Sequence, residues 1–148
     1  MAAGNRARPV EILLVEDNLA DIRLTQEAMK ESRMTNALHV VRSGPEAQQF
    51  LRRRGDFSGA PRPDLILLDL NLPGMDGHEL LADIKADEKL RRIPVVVLTS
   101  SSADDDIVES YNLHANCFIS KPVTMTGFVD VVHSVDGFWF SIVKLPPE

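Results

Sequence analysis

The residues of this chain best suited to chemistry are charged or hydroxyl side chains that directly follow apolar runs. Glu16 and Asp17 follow "ILLV", and Asp69 follows "LILL". The later runs "VVVL" and "CFIS" lead into Thr99 and Lys121. Runs of this kind are typical of strands that are buried on both faces. A carboxylate at the end of such a strand loses hydration, which is costly unless a partner compensates for it.

Three neighbouring carboxylates would raise one another's pKa values, and a divalent cation removes that repulsion. Oxygen ligands without His or Cys favour Mg²⁺ over Zn²⁺ or Cu²⁺. Carboxylates, a lysine, a hydroxyl and Mg²⁺ are the components of a phosphoryl-transfer site, in which a carboxylate can be the nucleophile. We predict that Asp69 attacks phosphorus, while Mg²⁺, Lys121 and Thr99 each bind a different oxygen of the transferred group.

The elements that position these side chains are five apolar runs, each followed by a helical pattern. The runs cover residues 11–15, 38–41, 65–68, 95–99 and 117–120. Five such βα units predict a parallel sheet with helices on both faces and right-handed crossovers. Ligands of open α/β sheets bind at the carboxyl ends of the strands, where the strand order reverses. All the candidate side chains fall on that edge.

Two of the helical patterns carry specific expectations. The first helix, from about Asn18 to Lys30, contains two apolar pairs, Ile22 with Met29 and Leu24 with Ala28. We expect one pair to face the sheet and the other to be partly exposed. Pro45 is well placed for the first turn of the second helix.

Length and composition limit the class of protein. A chain of 148 residues suits one domain with one core. The net charge of −6 argues against a nucleic-acid surface. No apolar run approaches the roughly 20 residues that span a bilayer, and the N-terminus lacks a signal-peptide core. A single cysteine, Cys117, cannot form an internal disulfide. We therefore expect a cytoplasmic protein with neither a nucleic acid nor a membrane as partner.

Four motifs in this order resemble the receiver domain of two-component response regulators. They are "LLVEDN", "LILLDLNLPGMDG", "VVVLTSS" and "FISKP", and the resemblance covers roughly Val10 to Val135. It implies a flavodoxin-like, doubly wound, five-stranded parallel sheet of order 2-1-3-4-5. It also implies a signalling protein that accepts phosphoryl from a histidine kinase, rather than an enzyme, with Mg²⁺ and no organic cofactor.

The resemblance also implies roles for the acidic residues. Asp69 would be the phosphoacceptor and would also contact the metal. Asp17 would bind Mg²⁺ directly, and Glu16 would do so directly or through water. The backbone carbonyl of Asn71 would be a further ligand. Many receivers have Asp at the position of Glu16, whose longer side chain favours a water-mediated contact.

A second group of roles concerns the switch that follows phosphorylation. Thr99 would be the switch hydroxyl, and Lys121 would contact the phosphoryl group. The bond between Lys121 and Pro122 would be cis. Phe118 occupies the switch aromatic position, which turns inward when Thr99 moves. Because Phe118 replaces the frequent Tyr, its outward form has no hydroxyl to offer a target.

A finer resemblance is to single-domain receivers that are paired with bacterial phytochromes. It is carried by "VEDNLADIRLTQEAMKE", "ANCFISKPV" and "FWFSIVKLPP". It implies a phytochrome-type histidine kinase as partner and a homodimer through the last strand, the last helix and a C-terminal arm. The chain would then divide into a tail, 1–9, a receiver domain, 10–137, and an extension, 138–148. With no output domain, it would signal through protein–protein interaction.

Several alternatives stay open at this stage. A haloacid-dehalogenase-type phosphatase needs a second Asp two residues after the nucleophile, where this chain has Asn71. A flavodoxin-like cofactor binder needs a phosphate-binding loop after the first strand. In this chain that segment is "VEDNLAD", which is acidic and would repel a phosphate unless a metal is present. The apolar residues after Gly137 either fold back over their own domain or cross to a second subunit. The run Arg52–Arg54 is either a solvated helix end or a docking site for a partner.

Overall fold

The computed structural model describes residues 9–31, 35–72, 74–99 and 117–120, and for Thr99 and 117–120 it describes the backbone alone. Five strands form one parallel sheet in the order β2-β1-β3-β4-β5, as predicted. They are β1 Val10–Val15, β2 Asn36–Val41, β3 Leu65–Asp69, β4 Val95–Thr99 and β5 Cys117–Ser120. The helices of the described residues are α1 Leu19–Glu31, α2 Gly44–Arg52 and α3 Gly77–Ala86.

The strand order reverses at β1, which pairs with β2 on one side and with β3 on the other. Val15 is in register with Val41 of β2 and with Leu68 of β3. The residues after β1 therefore lie beside the end of β3. A parallel sheet of this type binds its ligands at such a reversal.

Both faces of the sheet are packed with apolar side chains. On one face, Ile12 and Leu67 contact a cluster that includes Ile22 and Met29 of α1. On the other face, strand residues pack with side chains of α2 and α3. All five residues of β3 are buried, Asp69 included. The continuous apolar runs of the sequence therefore correspond to strands covered on both sides.

Helix α1 corrects one expectation from the sequence. Ile22 and Met29 face the sheet as a pair, but Ala28 is buried with them, whereas Leu24 has 46% of its surface exposed. The predicted pairing of Leu24 with Ala28 is therefore wrong. Around the helix, the buried stripe also includes Thr25 and has Ala28 at one edge. The helical period places Leu24 just outside that edge.

The second helix begins as the sequence predicted, and the segment after it contains a short helix of its own. Pro45 lies in the first turn of α2, as predicted, and the Ser43 hydroxyl caps the helix by accepting from the Glu46 amide at 3.2 Å. Arg52 is the last residue of α2, and a loop follows the helix. That loop contains a short 3-10 helix, Gly55–Phe57.

Several predictions fall outside the described residues. They include the helical patterns expected after the fourth and fifth apolar runs, and the extension 138–148. Among the helices of the described ranges, none combines the length and apolar character that crossing a bilayer would require.

Candidate functional site

Three carboxylates meet at the carboxyl edge of the sheet. Each of Glu16, Asp17 and Asp69 contributes an oxygen, and these oxygens all lie within 4.8 Å of one another. Glu16 is fully buried, Asp69 has only 3% of its surface exposed, and Asp17 is half-buried. The reversal of strand order accounts for the meeting, because it sets the end of β1 against the end of β3.

Backbone hydrogen bonds hold Glu16 and Asp17 in place. The Glu16 amide donates to the Val41 carbonyl at 3.0 Å, which continues the pairing of β1 with β2. The Asn18 amide donates to Glu16 Oε2 at 3.2 Å. The Arg42 guanidinium donates to the Asp17 carbonyl at 3.0 Å. The Glu16 side chain and the backbone of Asp17 are thus held in place.

Asp69 is oriented by the turn that follows β3. The Asn71 amide donates to Asp69 Oδ1 at 3.1 Å. The Gly77 amide donates to the Leu70 carbonyl at 3.0 Å and so closes the β3–α3 loop over the strand end. These bonds fix the orientation of the Asp69 carboxylate and of the loop that follows it.

Gly77 permits the closest approach in this region, and reasoning from the sequence missed that role. A Cβ at Gly77 would lie 2.5 Å from the Leu70 Cα and 2.8 Å from the Asp69 carbonyl oxygen. The start of α3 therefore packs against the backbone that carries Asp69. The only sequence signal was the Asp76–Gly77 dipeptide, which indicates a turn without revealing what it touches.

The N-cap of α3 is Asp76, in a complete capping box. Asp76 Oδ1 accepts from the His78 amide at 2.9 Å, and the Glu79 side chain accepts from the Asp76 amide. The hydrogen bond from the His78 amide, assisted by the His78 ring, lowers the pKa of Asp76 below its ordinary value of 3.8. The helix that follows the site thus has a firmly defined first turn.

The β3–α3 loop also rests on the start of α2. A Cβ at Gly44 would lie 2.7–2.9 Å from side-chain atoms of Met75. The nearest of these atoms is the Met75 Cβ, whose position is set by the Met75 backbone. The loop after Asp69 is therefore confined on two sides.

The remaining predicted site residues are described in part or not at all. Thr99 ends β4, where its backbone is in register with Ser120, and Phe118 is in register with Val97. Lys121 and Pro122 lie outside the described residues. Their predicted roles, and those of Thr99 and Phe118 as switch residues, stay predictions.

The donor set fits a hard divalent cation. Two buried carboxylates and a third half-buried one within 4.8 Å repel one another strongly unless a cation balances them. All the donors are oxygens, which suits Mg²⁺ or Mn²⁺ better than a soft metal. The arrangement can hold a metal ion while presenting Asp69 at the edge of the sheet.

Comparison with known proteins gives a consistent result. A family model described as "Response regulator receiver domain" matches residues 12–133. The chain is 48% identical over 138 residues to the response regulator Rcp1 of a Synechocystis species, covering 93% of this chain and 94% of that protein.

Two solved structures are similar over nearly the whole chain. One is the phosphorylated cyanobacterial phytochrome response regulator RcpA, at 49% identity and a TM-score of 0.77, covering 95% of this chain and all of that one. The other is the Mn²⁺-bound form of Rcp1, at 48% identity and a TM-score of 0.76, covering 93% and 99% of the two chains.

Proposed function

The chain belongs to the response regulator receiver domain family of two-component signalling, and on that premise we propose that it accepts a phosphoryl group on Asp69. The observation that carries the proposal is the cluster of Glu16, Asp17 and Asp69 at the reversal of strand order. Asp69 is the member of that cluster that ends a fully buried strand. A carboxylate in this position is suited to act as a nucleophile beside a metal ion.

The metal we propose is Mg²⁺, held by Glu16, Asp17, Asp69 and the backbone carbonyl of Asn71. The oxygen-only donor set supports a hard divalent cation. A relative with 48% identity has been solved in a Mn²⁺-bound form, which supports a divalent metal in general. When bound, the ion would offset the negative charge of the cluster and of the incoming phosphoryl group.

The reaction we propose begins with a phosphohistidine of a histidine kinase. A carboxylate oxygen of Asp69 attacks phosphorus, a P–O bond forms, and the P–N bond to the imidazole breaks. The departing imidazole takes up a proton. The Asn71 amide keeps Asp69 Oδ1 oriented during the approach. Lys121 and Thr99 would bind the other oxygens of the transferred group.

The signal follows from the charge that the phosphoryl group adds at the sheet edge. Thr99 would move towards the phosphoryl group, and Phe118 would fill the vacated space. A few kcal/mol suffices to shift such a two-state population. The altered surface would comprise the last strand and the helices on either side of it. The chain would thereby act through protein–protein contacts, as a signalling protein rather than an enzyme.

The partner we propose is a phytochrome-type histidine kinase. The phosphorylated cyanobacterial phytochrome response regulator RcpA is 49% identical to this chain, which supports a light-regulated kinase as the phosphoryl source. We further propose a homodimer through β5, the last helix and residues 138–148. Residues 10–137 would form the receiver domain.

The decisive experiment uses acetyl phosphate and Mg²⁺ with the full chain. We expect intact-mass spectrometry to show a labile addition of one phosphoryl group, which EDTA prevents. Asp69→Asn should remove it. Asp56→Asn, at an exposed residue of the 3-10 helix, is the matched control and should keep it. A label that persists undiminished in Asp69→Asn would sink the assignment.

Two further measurements address the partners. A phytochrome-type kinase labelled on its histidine should transfer its phosphoryl group to the wild-type chain but not to Asp69→Asn. Light scattering should give a dimer mass for the full chain and a monomer mass for residues 1–137. Equal masses for the two would contradict the dimer arm.

A further inference from the structure

A basic cleft lies at the amino edge of the sheet, opposite the carboxylate cluster. It has a volume of about 880 Å³ and opens between the end of α2 and the turn that precedes β4. Six cationic residues line it: Arg52, Arg53, Arg54, Arg62, Lys89 and Arg92. Two acidic residues, Asp87 and Glu88, also line it, so the local excess is four positive charges in a chain of net charge −6.

Two of the lining arginines, Arg52 and Arg62, hold the walls of the cleft together. Arg52 donates to Asp83 Oδ2 at 2.9 Å and to Asp87 Oδ2 at 3.1 Å, which ties the end of α2 to the end of α3. Arg62 donates to the Lys89 carbonyl and so ties the segment before β3 to the opposite wall. A cleft with such fixed walls loses little conformational freedom on binding.

Three other arginines of the lining make fewer side-chain contacts than Arg52 and Arg62 do. Arg53, Arg54 and Arg92 are exposed, and their guanidinium groups make no hydrogen bond or ion pair within the described ranges. Arg52 already engages Asp87. The guanidinium groups of Arg53, Arg54 and Arg92 are therefore available to an anion from outside the chain.

Arg53 occupies a backbone conformation that favours glycine. It follows α2 with φ 55° and ψ 49°, the left-handed conformation of a helix C-cap. A residue with a Cβ pays an energetic cost there that glycine avoids. The arginine at this position gives the cleft a guanidinium group at the expense of backbone strain, as ligand-binding positions often do.

We propose that this cleft binds a small ligand with adjacent phosphate groups, carried either by a nucleotide or by a short inorganic phosphate chain such as tripolyphosphate. Guanidinium groups bind phosphate oxygens in a bidentate manner and retain their charge at all physiological pH values. The volume lies within the range of small-molecule sites. The two acidic residues in the lining disfavour a long, uniformly charged polymer. This site is separate from the carboxylate cluster, which lies at the other edge of the sheet.

The test is calorimetric titration of the full chain with inorganic tripolyphosphate and, separately, with ATP. EDTA is present throughout, so that no metal at the carboxylate cluster can contribute to binding. We expect saturable binding that weakens as ionic strength rises. Binding of both probes identifies the phosphate chain as the determinant, and binding of ATP alone identifies a nucleotide ligand.

Two variants with matched controls locate the site. Arg53→Gly and Arg92→Gln should each weaken binding about tenfold. Arg91→Gln removes the same charge from the neighbouring exposed residue, which does not line the cleft, and should change affinity less than about twofold. Because glycine suits the conformation of residue 53, Arg53→Gly should melt no lower than the wild type, so its loss of binding cannot reflect unfolding.

Three results would overturn the proposal. The first is the absence of saturable binding for both probes. The second is equal affinity in Arg53→Gly, Arg92→Gln and the wild type. The third is binding of a hexaglutamate peptide with no binding of either phosphate probe, which would point to an acidic protein partner instead.

Discussion

The two edges of this sheet differ in the sign of their charges and in how deeply those charges are buried. At the carboxyl edge, Glu16 and Asp69 bury like charges, with 0% and 3% of their surfaces exposed. At the amino edge, the charges are mostly positive and exposed, and the partly buried Arg52 is compensated by Asp83 and Asp87. Helix α3 connects the edges, from its cap at Asp76 to Asp87 at its other end.

This difference in burial determines which charges indicate a function. A buried carboxylate beside another is costly, so its presence calls for a compensating cation or reaction. An exposed arginine costs almost nothing, so its presence alone indicates little. At the amino edge, a binding site is therefore supported by the cleft, its tied walls and the strained backbone of Arg53 rather than by charge alone.

The largest effect we expect is at Gly77, where packing beside the carboxyl edge leaves no space for a Cβ atom. In Gly77→Ala, the new Cβ would meet backbone atoms of Leu70 and Asp69, so the helix or the strand end must move. We expect a loss of about 3 kcal/mol in the free energy of unfolding, measured by urea denaturation.

Gly59→Ala is the matched control for that substitution. Its Cβ would have no heavy atom within 4 Å, so the cost should be smaller by at least about 1 kcal/mol. Equal losses in the two variants would show that the backbone contact at Gly77 is not what confines Asp69.

These contrasts show how far the sequence could predict the structure. The apolar runs and the carboxylates that end them predicted the strands, the sheet and the meeting of residues 16, 17 and 69, because burial of both faces leaves a clear pattern. The close approach at Gly77 was not predictable, since it depends on the exact path of the β3–α3 loop. Nor was the exposure of Leu24, because the edge of a helical stripe depends on what packs against it.

The basic cleft shows a different limit of sequence reasoning. Its arginines are spread from Arg52 to Arg92, and only the run Arg52–Arg54 is visible as a motif. Arg62 and Arg92 join that run through the folding of β3 and β4 into one sheet. Side chains that converge only in space leave no spacing to detect along the chain.

The next largest effect we expect is stabilisation of the fold by Mg²⁺, which should depend on residues of the carboxyl edge only. At 100 times its dissociation constant, Mg²⁺ should raise the free energy of unfolding by about 2.7 kcal/mol. Asp17→Asn should remove most of that gain, and Arg53→Gly at the opposite edge should keep it. Thermal unfolding with Mg²⁺ and with EDTA measures the difference. An equal gain in Asp17→Asn would place the metal elsewhere.

The smallest effect concerns the cap of α3 beside the carboxylate edge. Asp76→Ala should cost about 1 kcal/mol at pH 7, because the His78 amide loses its acceptor. The folded state lowers the pKa of Asp76, so its contribution is present above the ordinary value of 3.8 and is lost as pH falls through the lowered pKa. The gap between wild type and Asp76→Ala should therefore close in acid.

Asp76→Asn sharpens this last prediction, since asparagine is also a good N-cap but does not titrate. Its stability at pH 7 should lie close to that of the wild type, while its advantage over Asp76→Ala should persist in acid. Urea denaturation from pH 7 to pH 3 gives both curves. A gap between wild type and Asp76→Ala that stays constant with pH would show that the cap acts through shape alone, without the charge of Asp76.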